Sequence, residues 1–383
     1  MFSADLACGC IEIFPHDNSF EFQDLCGLAS RENPNRGYLF VSKVLGKHFP
    51  VRPSDMRAVY DNISAKITDL VSDEPTLFLG MAETAVGLGH GVYESFIKSN
   101  AHRSVTTYVH STRYSLDKSH LNYCVNESHS HAKCHYIHKT KYDDLYTTLV
   151  LIDDELSTGS TFVNLIEQVL KTKNSIKRIV IGSIISWLSD EKKKKIKKLF
   201  PLKSIEFVSL FSGEFRFTAN ESFRPVLPCG SETIAECPVV VACSLGRHGI
   251  EGPIGSEVVR KTVDQIIENS NLVKTKTVSI VGTGEFLYLP YLVALEIESK
   301  GFDVRFQSTT RSPILVDGII ETKILLNDVY EQNVPHYVYN LDVSCSQVVF
   351  LYETKQKHQV FGNSISHYNL EYGKNDCIVY RLG

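Results

Sequence analysis

The sequence lacks the marks of several common classes of protein. Its ten cysteines include no Cys-x-x-Cys pair, so we expect neither a disulfide framework nor a cysteine-based zinc site. No apolar run approaches the roughly 20 residues that a membrane-spanning helix needs, and the first residues show no basic leader followed by an apolar segment. The formal net charge of −4 gives no general attraction to nucleic acid or to an anionic membrane surface. We therefore expect a cytoplasmic protein whose partners include neither nucleic acid nor a membrane.

The sequence does have an ordinary globular composition over a long chain. Hydrophobic residues make up 43% and charged residues 22%, as in typical soluble domains. A chain of 383 residues is long for a single core and indicates two domains. Proline and glycine mark a linker at residues 223–238, so we place the domains at residues 1–222 and 239–383.

One stretch, LVLIDDELSTGST at residues 149–161, carries the clearest chemical pattern. An apolar strand ends at Asp153 and Asp154, a hydroxyl-rich loop follows, and apolar residues at helical spacing come next. The loop consists of Ser157, Thr158, Gly159, Ser160 and Thr161. Backbone N–H groups of such a loop converge at the positive end of the helix, where a phosphate fits. No Gly-Lys-Ser/Thr follows, so the loop is not a P-loop.

Carboxylates at the end of a parallel strand face the position of a ligand in an open α/β sheet. There, Asp153 and Asp154 could accept hydrogen bonds from adjacent hydroxyls. A phosphate beside a vicinal diol indicates a ribose phosphate. The alternative is an ordinary turn with a solvated aspartate pair.

A second strand, loop and helix unit precedes this one. Its loop consists of Gly80, Met81, Ala82, Glu83 and Thr84. Small residues there let the backbone approach a ligand closely, and the helix N-terminus favours a second anion. Glycines that only permit tight helix packing are the alternative.

Two further groups of polar residues leave alternatives open. Lys43 and Lys47 follow a short apolar strand, where contact with phosphate and a solvated turn explain them equally well. Histidines and a cysteine cluster between residues 127 and 138. Imidazoles at short spacing can bind zinc, but this spacing fits no standard zinc pattern, which makes a metal site the weaker interpretation.

The second half repeats parts of the first. Gly282, Thr283, Gly284 and Glu285 repeat the order of residues 80–83, and Thr310 and Arg311 repeat residues 112 and 113. We hypothesise that the second domain is a divergent copy of part of the first, in which the strand at 348–358 has lost the acidic pair and the glycine turn. Chance similarity between two Rossmann-like units is equally open, because such units share turn chemistry. Different strand orders in the two halves would contradict the hypothesis.

The motifs together resemble a known family. NPNRGYLFVSKVLGKH, FLGMAETAVGLGHGVYE, HSTRYSLD, ESHSHA and LIDDELSTGST resemble the predicted adenine/guanine or orotate-like phosphoribosyltransferases of bacterial tellurium-resistance and stress gene clusters. STTRSPI at residues 308–314 matches the signature of the TRSP domain fused behind that enzyme. The resemblance implies an α/β protein with two parts. The first is a type I phosphoribosyltransferase, a Rossmann-like parallel sheet with a hood and a lid, and the second is a smaller α/β, Rossmann-like TRSP domain.

The resemblance also implies roles for the motif residues. Asp153 and Asp154 would hold the ribose hydroxyls of phosphoribosyl pyrophosphate (PRPP), and residues 157–161 its 5′-phosphate. Residues 80–84 would cradle the pyrophosphate, with Lys43 and Lys47 as candidate partners. A lid between strands would carry the chemical groups of Arg113, Glu127, His129 and His131. The implied cofactor is Mg²⁺, held through PRPP and through Asp153 and Asp154.

The implied reaction transfers ribose 5-phosphate between PRPP and a purine-like or orotate-like base, with Mg-pyrophosphate as leaving group, in the synthesis or salvage of a nucleotide-like metabolite. Two alternatives are an enzyme that cleaves a nucleotide in the reverse direction and a non-catalytic regulator that binds PRPP or a nucleotide. In the second domain, Arg247, His248, the loop at 282–285, Thr310 and Arg311 could form a second small-molecule site or an internal dimer-like contact. Neither the base nor the assembly follows from the sequence, and a homodimer is left open.

Overall fold

A computed structural model describes most of the chain. The described residues are 1–16, 18–71, 73–99, 104–114, 121–126, 134–226, 245–330, 332, 334–344, 346–354, 365–372 and 377–381. Three residues that we predicted in the lid, Glu127, His129 and His131, lie outside the described residues, and so does most of the predicted linker. Within the described ranges, none of the helices combines the length and apolar character needed to cross a bilayer.

The described residues form seven helices and eighteen strands. The helices are α1 (Phe22–Leu25), α2 (Pro53–Thr68), α3 (Val86–Ser99), α4 (Ser160–Thr172), α5 (Asp190–Leu199), α6 (Ser256–Ser270) and α7 (Tyr288–Ser299). The strands of the first half are β1 (Phe2–Leu6), β2 (Gly9–Pro15), β3 (Cys26–Ser30), β4 (Tyr38–Ser42), β5 (Thr76–Gly80), β6 (Thr106–His110), β7 (Leu121–Asn126), β8 (Cys134–His138), β9 (Thr148–Leu156), β10 (Arg178–Ser186) and β11 (Ser204–Ala219). Those of the second half are β12 (Val278–Gly282), β13 (Val304–Ser308), β14 (Lys323–Leu326), β15 (His336–Tyr339), β16 (Gln347–Tyr352), β17 (Ser366–Tyr372) and β18 (Cys377–Arg381).

The first half is built on a seven-stranded sheet in the order β1-β2-β11-β10-β9-β5-β6. The five strands from β11 to β6 are parallel, and β2 pairs antiparallel with β11. All five residues of β5 and the first five of β9 are buried, because helices cover both faces of a parallel sheet. The carboxyl ends of β5 and β9 are neighbours, with Gly80 opposite Ile152. This register brings the two predicted anion loops to the same edge of the sheet.

The second half has a smaller sheet in the order β13-β12-β16-β17-β18. The first four strands are parallel and β18 is antiparallel. Their order matches β6-β5-β9-β10 of the first sheet, as the hypothesis of a divergent copy requires. The predicted α/β class, with a parallel sheet followed by a second α/β unit, is confirmed.

An apolar interface joins the two halves. Helices α2 and α3 of the first half pack against α7 of the second, where the Tyr60 and Tyr291 rings lie 5.2 Å apart and the His90 and Tyr288 rings stack at 3.8 Å. The hairpin of β3 and β4 lies over the same side, and Arg31 forms a β-bridge with Ile314 of the second half. One hydrophobic cluster runs through both halves, so burial of apolar surface fixes their relative position.

Candidate functional site

A cavity of about 590 Å³ opens at the carboxyl ends of β5, β6 and β9. Its walls come from the β3–β4 hairpin, the loop at 82–84, the end of β9 with the loop at 157–161, the strand β11, and residues 310–312 of the second half. The volume falls within the range of typical small-molecule sites. The cavity therefore unites both predicted anion loops with a segment from the second domain.

The loop at 157–161 forms an open helix N-terminus. Gly159, the residue before α4, has φ of +76°, and a Cβ there would lie 2.8 Å from the Cδ1 of Ile196. Gly159 has no side chain to cap α4, whereas Ser189 caps the nearby α5 by accepting from the Lys192 N–H. The Ser160 N–H donates to the Thr158 hydroxyl at 3.4 Å, but within the described part of the chain the N–H groups of Thr161 and Phe162 have no acceptor, so they are available to an anion in the cavity. Thr158 and Ser160 hydroxyls, 2.9 Å apart, add polar groups beside them.

Three acids follow one another at the end of β9. Glu155 accepts two hydrogen bonds from Arg36, at 2.8 and 2.9 Å. Asp153 accepts from the Asp154 N–H at 3.0 Å. Burial, together with the neighbouring Glu155 charge, raises the pKa of Asp154 from 3.8 to about 6. The Glu155 carboxylate therefore forms an ion pair with Arg36, while the Asp153 and Asp154 carboxylates border the cavity.

The loop at 82–84 is held by an ionic cluster. Ala82 donates its N–H to the Ser111 hydroxyl at 2.9 Å. The Glu83 carboxylate binds Lys47 at 2.8 Å and Arg311 at 3.1 Å. Burial alone would raise the pKa of Glu83, but the Lys47 and Arg311 charges outweigh it and lower the pKa. Within the described part of the chain, the N–H groups of Glu83 and Thr84 have no acceptor, which suits an anion.

The predicted pyrophosphate residues take different positions. Ala82, Glu83, Thr84 and Arg113 line the cavity. Gly80 and Met81 lie beneath it and carry the end of β5, where the Met81 N–H donates to Ile152.

The two predicted lysines also differ. Lys47 is 1% exposed and acts on the cavity through Glu83. Lys43 donates to the Gln23 carbonyl and borders a separate groove, so the structure does not place it where it could contact pyrophosphate.

The second-domain candidates do not form one site. Thr310 and Arg311 line the cavity of the first half. Arg247 instead binds Glu285 at 3.1 Å in a buried cluster, and the His248 ring lies 4.7 Å from that of His138. In the loop at 282–285, Cβ atoms on Gly282 and Gly284 would meet Phe286 and Tyr330 at 2.4 and 2.7 Å, and the Thr283 hydroxyl donates to Leu351. The cavity therefore includes only two of these candidates, and the two alternatives, a second small-molecule site and an internal dimer-like contact, stay predictions.

Several lining residues were not predicted from the sequence. Three are cations, Arg31, Arg36 and Lys192, of which Lys192 belongs to the lysine-rich helix α5. An aromatic wall is formed by Tyr38, Trp187, Phe215 and Phe217. The alternation of Phe215 and Phe217 in β11 was a usable signal, because alternate strand residues share one face.

Trp187 serves both the core and the cavity. It is 6% exposed and packs 4.6 Å from the Phe40 ring and 5.1 Å from the Phe215 ring, so packing in the core accounts for most of its surface. Its indole also lines the cavity, and within the described part of the chain Nε1 has no hydrogen-bond partner. A buried indole N–H usually has one, which suits a ligand acceptor.

Among the described residues, no group of three or more histidine, cysteine or acidic side chains is arranged to hold a metal ion. A cation at this cavity would therefore need ligands from a bound molecule in addition to Asp153 and Asp154.

The raised pKa of Asp154 predicts an effect on stability. A carboxyl whose pKa rises on folding stabilises the fold when protonated, and that contribution is lost as the pH rises through about 6. We expect the free energy of unfolding of Asp154→Asn at pH 7 to exceed that of the wild type by about 1 kcal/mol, after allowance for solvent in the cavity, and its unfolding temperature to be correspondingly higher. The difference should shrink at pH 4, as measured by thermal denaturation. Asp61→Asn, on the exposed face of α2, should show no such dependence, and a destabilised Asp154→Asn at pH 7 would contradict the prediction.

The comparisons with known proteins agree with this architecture. A family model described as phosphoribosyl transferase matches residues 25–214, and a model described as the TRSP domain C-terminal to it matches residues 225–367. A search of curated proteins gave no significant match.

Solved structures with similar folds include three phosphoribosyltransferases. The adenine phosphoribosyl transferase of Trypanosoma brucei is 12% identical, with 49% of this chain and 77% of that chain covered and a TM-score of 0.35. The adenine phosphoribosyltransferase of Leishmania donovani is 16% identical, with coverage of 56% and 92% and a TM-score of 0.35. A hypoxanthine phosphoribosyltransferase of Staphylococcus aureus is 12% identical, with coverage of 43% and 80% and a TM-score of 0.26.

The two family models lie in the order that the sequence motifs indicated, and together they span most of the chain. The resemblance inferred from LIDDELSTGST and STTRSPI is confirmed. The chain belongs to the family in which a phosphoribosyl transferase domain is followed by a TRSP domain.

Proposed function

We propose that this protein transfers the 5-phosphoribosyl group of PRPP to a ring nitrogen of a planar base and releases pyrophosphate. The observation that carries the proposal is the meeting of an uncapped, hydroxyl-rich helix N-terminus, two carboxylates and a second anion loop around one cavity. In the reaction, the bond from C1 of the ribose to the pyrophosphate oxygen breaks and a bond from C1 to nitrogen forms. The base loses the proton that its nitrogen carried.

The 5′-phosphate would bind at the loop of residues 157–161. The N–H groups at the start of α4 supply donors and a positive dipole end, and the Thr158 and Ser160 hydroxyls lie beside them. Lys192 lines the same part of the cavity and supplies a full positive charge. Three kinds of donor thus favour a dianionic group at this position.

The ribose hydroxyls would donate to Asp153 and Asp154. Arg36 donates two hydrogen bonds to Glu155, so Glu155 orients the β3–β4 hairpin. Asp153 and Asp154 would then accept hydrogen bonds from the sugar. Because Asp154 has a pKa of about 6, it is ionised and accepts hydrogen bonds at neutral pH. This pair would fix C1 between the pyrophosphate loop and the base.

The pyrophosphate would bind at the N–H groups of Glu83 and Thr84, beside Arg113. Charge builds up on this group as the C1–oxygen bond breaks, so fixed donors there stabilise the transition state. The Glu83 carboxylate is neutralised by Lys47 and Arg311, which removes its repulsion of the anion.

The residues present fit a magnesium ion that arrives with the substrate. Asp153 and Asp154 are oxygen ligands of the kind that Mg²⁺ prefers, and the ion usually completes its shell with substrate oxygens and water. When bound, Mg²⁺ would neutralise part of the charge on the departing pyrophosphate.

The base would lie against the aromatic wall. Tyr38, Trp187, Phe215 and Phe217 offer flat apolar surface, which suits stacking with a heterocycle. The Trp187 N–H, without a partner in the described part of the chain, could donate to a ring nitrogen or carbonyl oxygen of the base. We therefore expect a planar base that carries a hydrogen-bond acceptor at its edge.

The primary test is pyrophosphate release from PRPP and Mg²⁺ in the presence of single purines, pyrimidines and other nitrogen heterocycles. We expect release with at least one base, and a loss of about 100-fold or more in Asp153→Asn/Asp154→Asn, because the sugar is no longer fixed. Asp264→Asn, an exposed acid on α6, is the matched control. PRPP binding with no release for any base would instead favour a regulator, and release of a base from a nucleotide alone would favour the cleaving enzyme.

The phosphate loop can be tested with two glycines that share a positive φ. An alanine is strained at both Gly159 and Gly252, with φ of +76° and +82°, at a cost of about 1–2 kcal/mol. Only at Gly159 does the added Cβ also meet a neighbour, Ile196, whereas nothing lies within 4 Å at Gly252. We expect Gly159→Ala to weaken ribose 5-phosphate binding about tenfold or more by calorimetry, because its backbone strain falls within the loop that would hold the phosphate, whereas the strain at Gly252 falls outside it. Equal affinities in Gly159→Ala and Gly252→Ala would argue against a phosphate site here.

The base subsite can be tested with Trp187→Phe. This change keeps an aromatic ring and removes the N–H donor, so KM for the base should rise about five- to tenfold while KM for PRPP stays within about twofold. Steady-state kinetics with each substrate varied separately measure both values. Equal changes in the two values would show that Trp187 acts only through packing.

A further inference from the structure

The second half of the chain repeats the loops of the first in the same order. Four short motifs recur. They are LGKH at 45–48 and LGRH at 245–248, GMAE at 80–83 and GTGE at 282–285, STR at 111–113 and TTR at 309–311, and HY at 135–136 and 336–337. The strand orders of the two halves also match. Turn chemistry shared by unrelated strand, loop and helix units would not explain both the four motifs and the strand order.

The hydrogen bonds within these loops recur as well. The Ser111 N–H donates to Gly80 at 2.9 Å, and the Thr309 N–H donates to Gly282 at 3.0 Å. The hydroxyl of Ser111 accepts from Ala82, and that of Thr309 accepts from Gly284, each at 2.9 Å. Residues 112 and 310 form equivalent β-bridges, with Tyr136 and Tyr337. The two halves therefore share a backbone design down to single hydrogen bonds.

Each half also extends an arm onto the edge strand of the other. Val51, just after the first LG-x-H motif, bridges Phe306 in β13, and Ile250, just after the second, bridges Tyr108 in β6. The same surface is thus used in both directions, as in the isologous interface of a two-fold dimer. Here the two partners are parts of one chain.

The two halves differ at the end of the central strand. In β9, Asp154 stands two residues beyond Ile152, the partner of Gly80. Continuation of the register of β12 and β16 puts Glu353 at the equivalent position of the second half. Unlike Asp154, Glu353 does not border an open cavity, because it is 1% exposed. Its carboxylate binds Arg247 at 2.7 and 2.8 Å and also accepts a hydrogen bond from the Tyr330 hydroxyl.

Arg247 closes the second site completely. It binds Glu285 of the second anion loop and Glu353 at once, and its side chain is 1% exposed. Burial alone would lower the pKa of Arg247, but the Glu353 and Glu285 charges outweigh it and raise the pKa. The charged side chains of the second half that could have bound a sugar phosphate, Arg247, Glu285 and Glu353, therefore neutralise one another inside the protein.

The second half instead contributes to the open site of the first. Thr310, Arg311 and Ser312 line the first cavity. The Arg311 guanidinium binds Glu83 at 3.1 Å, lies over the Tyr114 ring at 5.1 Å and has a side chain 10% exposed. Glu83 belongs to the loop at 82–84, which lines the cavity, so Arg311 fixes that loop from across the interface.

We propose that the second domain is a built-in partner subunit, a copy of the first whose own site is closed by Arg247 and whose Arg311 positions the pyrophosphate loop of the open site through Glu83. The proposal rests on the proposed phosphoribosyltransferase function, because it assigns the loop at 82–84 to pyrophosphate. Arg311 is a positioning residue in this scheme. One chain then contains two related halves and one competent site.

The test measures the binding of the two parts of PRPP, pyrophosphate and ribose 5-phosphate, separately. Calorimetric titrations of the full chain with pyrophosphate and with ribose 5-phosphate, both in Mg²⁺, should give one binding event per chain for each. Arg311→Met should weaken pyrophosphate about tenfold or more and leave ribose 5-phosphate within about twofold, because only the loop at 82–84 is released. Arg311→Lys keeps the charge near Glu83 and should recover part of the loss. Arg305→Met is the control, because this half-buried arginine of β13 pairs with Asp303 and does not line the cavity.

The outcomes are distinguishable. Selective loss of pyrophosphate with partial recovery in Arg311→Lys supports the proposal. The proposal is overturned if Arg311→Met leaves the pyrophosphate affinity unchanged, or if Arg311→Met and Arg311→Lys each weaken the binding of both ligands equally. It is also overturned if one chain binds two pyrophosphates. In each of these cases, turnover by the wild type would leave the enzyme assignment intact. A wild-type chain that binds neither ligand overturns both proposals together.

Discussion

Two carboxylates, the buried Glu285 and the largely buried Glu83, set the relation between the halves of this protein. Each lies in the loop that follows a central strand, and each is bound from across the interface. Glu83 binds Arg311 of the second half, while Glu285 accepts from the Thr112 hydroxyl and the Arg113 N–H of the first half, both at 2.6 Å. An isolated charge out of water is costly unless it is paired and hydrogen-bonded. Separation of the halves would expose both pairs at once, so the apolar interface and the ionic contacts fix the same arrangement.

The same framework gives opposite results at the two sites. In the first half, Lys47 binds Glu83 and also donates to the Gly284 and Thr309 carbonyls of the second half, which draws its ammonium toward the interface and away from the acids of β9. In the second half, Arg247 is the equivalent residue, and its longer, forked side chain reaches both Glu285 and Glu353. Arginine presents several donors in a fixed plane, so one side chain can occupy two carboxylates. This difference leaves one cavity open and one cluster closed.

Much of the site was predictable because it is encoded locally. The strand, acid pair, hydroxyl loop and helix at 149–172 follow one another in sequence, and backbone geometry alone places Asp153 beside Gly159 and the start of α4. The loop at 82–84 was predictable for the same reason. Lys192 was not, because its charge run looks like any solvated helix face until α5 is packed beside the loop. Stacking on a flat base was one of two interpretations of Trp187, but the wall as a whole was not predictable, because Tyr38, Trp187 and Phe215 come from separate segments of the chain.

The sequence by itself determined the class of fold, the family and the residues that could bind a sugar phosphate, since these depend on spacing within single strand, loop and helix units. It also contained the repeat, visible in GMAE and GTGE and in STR and TTR. Only the tertiary structure decided what the repeat does. Whether Arg247 closes a site, and whether Arg311 serves its own half or the other, depends on side chains brought together from distant positions by the packing of α2 and α3 against α7. Contacts of that kind follow from burial and charge neutralisation across an interface, which no local pattern records.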